Sequence, residues 1–290
     1  MRKSFPLRML LILLLGAGAL PAAHARSPQK IIVITNVNIV DVDTGTIQPR
    51  LAVVIKKGKI TAIAKRALIQ ESPEIAIVNG EGKYLIPGLW DMSLHRMAGA
   101  DGERVRSVVL PRLLAQGVTA VLDPEGELPA LKALRREVER GEVAGPRIVA
   151  AAEAPVIVVH DLPEARAAVE ALRRRPEASW LVGTDPPGGA ASGVSLHREL
   201  QLLVEAGLTP LQALQAVTLG PVRFLGKEGE MGRVEAGKQA DLVLLDANPL
   251  DDIGNLDKIA GVVAAGRYFS RRDLDQMLAQ ADAAAAKGAK

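Results

Sequence analysis

Between Leu85 and Asp185, short apolar runs alternate with helical patterns, and about five strand–helix units fit there. This constrains the fold more than any other feature, because alternating β and α elements build a parallel sheet, closed or open. A closed barrel of eight such units takes about 250 residues, and at least roughly 200. The segment is too short for that. The chain is therefore expected to hold either an incomplete barrel or an open sheet.

The units are legible one by one. A helix from about Glu103 places Val105, Val108, Val109 and Leu113 on one face, and the run Gly117 to Asp123 after it reads as a buried strand. A second helix spans about Leu128 to Arg140 and stops near Gly141, before a strand opening at Gly145-Pro146-Arg147-Ile148-Val149-Ala150. Pro155 to Val159 reads as strand and Leu162 to Arg175 as helix, with Asp161 as N-cap and Glu164 at the third position of a capping box. Trp180 to Asp185 is the last strand. Leu196 to Ala206 and Pro210 to Val217 are helices, the second with Thr209 as N-cap and Gln212 at N3.

Both flanks of this region are β. Ile31 to Val40, Leu51 to Ile55 and Ile60 to Ala64 are broken by turns at Asp43-Thr44-Gly45 and Lys57-Gly58-Lys59, which predicts antiparallel hairpins. Ala240 to Asp246 and Ile259 to Ala265 read the same way.

At the start, Arg2, Lys3 and Arg8 precede an apolar core from Met9 to Leu20, and Ala23-His24-Ala25 is an A-x-A cleavage site. Residues 1–25 are read as a secretory signal, with an uncleaved amino-terminal anchor as the alternative. A soluble exported protein, periplasmic or secreted, is the simplest expectation. Removing those residues lowers the 36 basic residues to 33, against 33 acidic. The apparent basicity thus belongs to the signal, and nucleic acid is not expected as a partner. Aromatic residues make up 2% of the chain, too few for a stacking platform. With no cysteine there are no disulfides.

The run Leu85-Ile86-Pro87-Gly88-Leu89-Trp90-Asp91-Met92-Ser93-Leu94-His95 ends on two residues at i and i+2 spacing, which share one face of a strand. Two histidines so placed grip one metal ion; here the pair is Ser93 and His95, and a serine hydroxyl is a poor zinc ligand. Taken alone, His95 reads as an ordinary histidine at a strand end.

With this run, several segments resemble the amidohydrolase superfamily, in its imidazolonepropionase and Xaa-Pro dipeptidase-like branch. They are Gly183-Thr184-Asp185, Ser195 to Leu200, Ala206 to Leu214, Gly232 to Val243, Asn248-Pro249-Leu250 and Val263 to Arg267. The resemblance implies an α/β fold: a (β/α) TIM-like barrel, here incomplete or shortened, with a small β-sandwich formed from both chain ends. The expected layout is a signal at 1–25, a composite sandwich from 26–84 plus 226–270, a barrel at 85–225 and a helical tail at 271–290. The implied activity is hydrolysis of amide, cyclic amide or dipeptide bonds by water activated on zinc or a similar divalent metal. Asp185 would inherit the metal-binding and proton-shuttling aspartate of the last strand.

Members of the family also carry a bridging lysine on the fourth strand and histidines on the fifth and sixth. This sequence has no lysine between Lys132 and Lys227, and of its four histidines only His95, His160 and His197 lie beyond the signal. His160, after Pro155-Val156-Ile157-Val158-Val159, reads either as the fifth-strand ligand or as an exposed residue at the end of another strand. His197, inside a helical motif, reads as a packing or capping residue. The Pro186-Pro187-Gly188-Gly189 stretch lacks the lysine of a phosphate-binding loop and reads as a βα connection.

Two functions follow. One is a hydrolase with a mononuclear site of His95, His160 and Asp185, three protein ligands plus water being a catalytic zinc arrangement. The other is a catalytically inactive relative serving as a binding or structural protein. A small-molecule or dipeptide-like substrate is expected for the first, no membrane contact once the signal is removed, and for either a homo-oligomer covering open barrel edges.

Overall fold

The computed structural model describes residues 31–65, 74–92, 102–123, 129–150, 156–174, 181–184 and 193–288. The β segments of the two flanks join in one eight-stranded sheet. Its strands are β1 (Ile31–Val40), β2 (Ile47–Lys56), β3 (Lys59–Ala64), β4 (Ile75–Asn79) and β5 (Tyr84–Pro87) from one flank. The other flank supplies β9 (Leu242–Leu245), β10 (Ile259–Ala264) and β11 (Arg267–Ser270). The order is β11-β10-β9-β5-β1-β2-β3, with β4 also paired to β1. Ile32, Ile34, Val53, Ile55, Ile60, Leu85, Leu242 and Leu244 form one buried cluster, so residues of both flanks share a core.

The expected hairpin at Lys57-Gly58 is a two-residue turn between the paired Lys56 and Lys59, with φ of 51° and 72°. Positive φ at both central residues suits the right-handed twist of the flanking strands. The far edge of β3 is covered as well: Ile60 N–H donates to Lys238 O (2.9 Å) and Ala240 N–H to Gly58 O (2.8 Å).

The opening run does not behave as one strand. Tyr84–Pro87 pairs with β9 in the large sheet, whereas β6 (Leu89–Asp91) begins a second, parallel sheet with β7 (Val118–Asp123) and β8 (Arg147–Ala150). The switch is Gly88. A Cβ there would lie 1.9 Å from Thr119 Oγ1, so only glycine lets the chain cross so close to β7. The division between the two β regions thus falls at Gly88 rather than after Tyr84.

On its other side β6 meets the segment 181–184 through a bond from Met92 N–H to Val182 O (3.3 Å). That segment forms a parallel bridge, Val182 to Ile157, with bonds from Ile157 N–H to Leu181 O (2.8 Å) and from Gly183 N–H to Ile157 O (3.2 Å). The described barrel order is therefore β8-β7-β6, then 181–184, then 156–159. Alternate residues Trp90, Met92, Ala120, Leu122 and Leu181 pack in one cluster, while Leu89, Val118 and Val121 join the main core.

The helix expected from Glu103 is three joined pieces: α1 (Gly102–Arg104), a π-helical turn (Val105–Val109) and α2 (Leu110–Ala115). Pro111 lacks the N–H that an α-helical bond to Ser107 needs, and the wide turn falls just before it, where Leu110 N–H reaches Val105 O. Val105, Val108, Val109 and Leu113 are buried, as their spacing requires.

The remaining helices are α3 (Pro129–Glu139), α4 (Leu162–Arg173), α5 (Gly193–Glu205), α6 (Pro210–Ala216), α7 (Leu219–Phe224) and α8 (Arg271–Gly288). Helix α6 carries the full Thr209/Gln212 capping box. Helix α8, the expected tail, buries Leu274 and Ala281 and ties Asp282 to Arg112 of α2 (2.7 Å). Among the described residues no helix is long and apolar enough to cross a membrane.

Candidate functional site

Catalytic residues of βα barrels lie at the carboxyl ends of the strands. At that end of β6, Asp91 is fully buried, and both of its carboxylate oxygens are bonded by Thr184: the amide donates to Oδ1 at 2.9 Å and the hydroxyl to Oδ2 at 2.6 Å. A carboxylate away from water is costly unless donors surround it, so this contact fixes two backbone segments with little freedom. It joins the end of β6, four residues before His95, to the residue preceding Asp185. His95, Asp185 and Ser93 themselves lie outside the described residues, as does Pro186-Pro187-Gly188-Gly189.

His160 is described, and it meets Glu164 of α4. Its amide donates to Glu164 Oε2 (2.8 Å) and its Nδ1 lies 3.2 Å from the same oxygen, with the ring 54% exposed. The His160 amide, and then its ring, hold the Glu164 carboxyl below the usual range. Asp161 caps α4 as expected, accepting from Glu164 N–H (2.9 Å), but the reciprocal bond from Glu164 goes to His160 rather than to Asp161. The segment before His160 is bridged directly to 181–184.

His197 is buried and bonded on both ring nitrogens, Nδ1 to Asp257 Oδ1 (2.7 Å) and Nε2 to Gln116 O (2.9 Å). A carbonyl oxygen only accepts, so Nε2 is the donor in the bond to Gln116. The histidine pins α5 to the end of α2 and to the 3-10 turn Ile253–Asp257, a packing role as its motif suggested. It also holds the Asp257 carboxyl below its ordinary range, against the opposing effect of burial.

Sequence reasoning missed Asp91, Thr184 and Glu199 as structural partners. Glu199, nearly fully buried on α5, accepts from Val159 N–H at 3.5 Å and steadies the segment leading to His160. Two signals were present. Asp91 is a lone carboxylate within an apolar strand, and Glu199 sits three residues after Leu196 on the face that also buries Leu200 and Leu203.

The described residues do not by themselves make a metal cradle. No group of three or more His, Asp or Glu side chains converges among them; His160 is turned to Glu164 and His197 is locked between Asp257 and Gln116.

Comparison with known proteins agrees with this architecture. Residues 157–268 match the sequence profile described as the amidohydrolase family. The imidazolonepropionase of Rubrobacter xylanophilus is 39% identical over 108 residues, 36% of this chain and 25% of that protein. The ochratoxinase of Aspergillus niger is 36% identical over 74 residues, 25% of this chain and 15% of that one. Among solved structures, molinate hydrolase superposes with a TM-score of 0.64 at 16% identity, covering 86% of this chain and 97% of that chain. A Xaa-Pro dipeptidase with bound methionine gives 0.56 at 16% identity, covering 83% and 100%. At such identity these likenesses show the fold, that of the amidohydrolase TIM-barrel proteins. Sequence and fold agree in their likeness to the amidohydrolase superfamily, the sequence profile matching residues 157–268 of the chain. It spans only 25% and 15% of the length of the two curated relatives just named.

Proposed function

We propose that this chain is a carbon–nitrogen bond hydrolase of the amidohydrolase type, acting on an amide, cyclic amide or dipeptide-like substrate at the joined ends of β6 and 181–184. The observation that supports this reading is the buried Asp91–Thr184 contact, because the two strands it ties lead, in sequence, into His95 and Asp185. Those two residues are assigned as the ligands of a divalent metal, of the kind typical of the family, with Asp185 as the acid–base carboxylate. His160 is proposed as the third ligand through its other ring nitrogen, since a carboxylate such as Glu164 on Nδ1 is the usual support of a metal-binding histidine. The signal-like segment at 1–25 assigns the activity to an exported protein.

The barrel is proposed to be shortened between Ala150 and Val156. Only five residues separate them, whereas a crossover between neighbouring parallel strands takes about a dozen. The lost units would include those bearing the bridging lysine and the two further histidines, and a second copy of the chain is the proposed cover for the open strand edges. This same observation favours a second reading, a non-catalytic relative that binds without hydrolysing.

The experiment is hydrolysis of N-acyl amino acids and Xaa-Pro dipeptides by the full chain, with Asp185→Asn as control. Turnover that disappears in the variant supports the hydrolase. Absence of turnover with divalent metal supplied rejects it in favour of the non-catalytic reading.

A further inference from the structure

A second feature lies at the opposite, entry end of the barrel strands. There, a cavity of about 580 Å³ opens between the large sheet and the barrel. Its walls include Arg147, the first residue of β8, and Asp241, whose carbonyl accepts the Gly88 amide (2.8 Å) just before β6. The volume falls within the range of small-molecule sites, and a junction between structural units is a usual place for one.

We propose that this cavity binds an organic oxyanion, a carboxylate or phosphate carried on a small apolar body. The lining holds three cations, Lys56, Lys57 and Arg147, against Glu139 and Asp241. Asp241 is already engaged, accepting from Arg147 Nη2 at 3.1 Å, while the exposed Glu139 lies 4.0 Å from Arg135, which offsets part of its charge. Lys56 and Lys57 are exposed and have no ion pair among the described residues. The Arg147 guanidinium spends one donor on Asp241, and its buried Nε has no hydrogen-bond partner among the described residues. The wall therefore has cationic donors in surplus, which favours an anion.

The apolar body is called for by the rest of the lining. Val138 is buried there, and the lysine stems and Ala265 add further hydrocarbon. The mouth is shaped by two hairpin turns, Lys57-Gly58 and Ala265-Gly266, in which all four residues have positive φ. They meet back to back, a Cβ on Gly266 lying 3.4 Å from Gly58 Cα, so side chains at these glycines would narrow the opening. The site is separate from Asp91 and Thr184 and owes nothing to the proposed hydrolysis.

The test is calorimetric titration of the full chain with phenyl phosphate, benzoate and neutral benzamide. At least one of the two anions is expected to saturate at one per chain, with benzamide at least about tenfold weaker. Which anion binds identifies the headgroup. The double variant Lys56→Glu/Lys57→Glu, made at exposed positions, is expected to weaken that anion at least about tenfold, and Glu139→Gln to tighten it. The proposal is overturned if neither anion saturates, if benzamide binds as well, or if affinity is the same in the double variant.

Discussion

Among the described residues, the two β regions of this molecule are paired to different degrees. In the large sheet, strands from both flanks pair in register, the β3 edge is taken up by Lys238 and Ala240, and one apolar cluster fills the interior. In the barrel region, three strands pair continuously, while 181–184 and 156–159 are held by single bridges and a side-chain contact. In the large sheet the β1–β2, β2–β3, β9–β10 and β10–β11 pairs are antiparallel, while β4 and β5 lie parallel to β1. A parallel barrel needs a crossover for every strand. The barrel region adds to its apolar clusters a few polar contacts, Asp91 with Thr184 and His197 with Asp257 and Gln116.

That contrast breaks first at Gly88, where the chain passes from one region to the other. Gly88→Ala sets a methyl on Thr119 and is expected to destabilise by about 3 kcal/mol or more, measured by urea unfolding. Next, Asp91→Ala leaves the buried amide and hydroxyl of Thr184 without this partner, a loss of about 2–3 kcal/mol. In hydrogen exchange that loss is expected in the barrel amides, with those of β1, β2 and β9 unchanged; equal loss in both regions would break the contrast.

A smaller effect, about 2 kcal/mol, is expected for His197→Ala, because Gln116 O is left without its donor and α5 loses its tie to the turn at Asp257. The smallest is a pH dependence. The His197 bond depresses the folded-state pKa of Asp257 below 3.8, so its contribution is present above that value and fades as pH falls through the folded one. Asp257→Asn is expected to flatten stability against pH in that acid window and nowhere above it, in urea unfolding repeated across pH.

Local order was legible in the sequence wherever neighbours in the chain decide it. The Lys57-Gly58 turn, the Thr209 cap and the buried face of the Val105–Leu113 helix follow from short-range patterns. Long-range choices were not. The break at Gly88 depends on Thr119 and Asp241, the role of Asp91 on Thr184, and the docking of α8 on Arg112, none of them near in sequence. The same limit applied to His160. Its strand pattern was readable, but its place beside 181–184 and its bond to Glu164 come from pairing. Of the site residues, His95, His160 and Asp185 were read from resemblance, and the contact that brings together the segments leading to His95 and Asp185 emerges only in three dimensions.

The central claim is that a buried carboxylate on β6 clasps the strand leading to Asp185, and the exchange rate of the Thr184 amide tests it most directly. The account predicts strong protection in the native chain, lost in Asp91→Ala. Fast exchange of that amide in the native protein would contradict it.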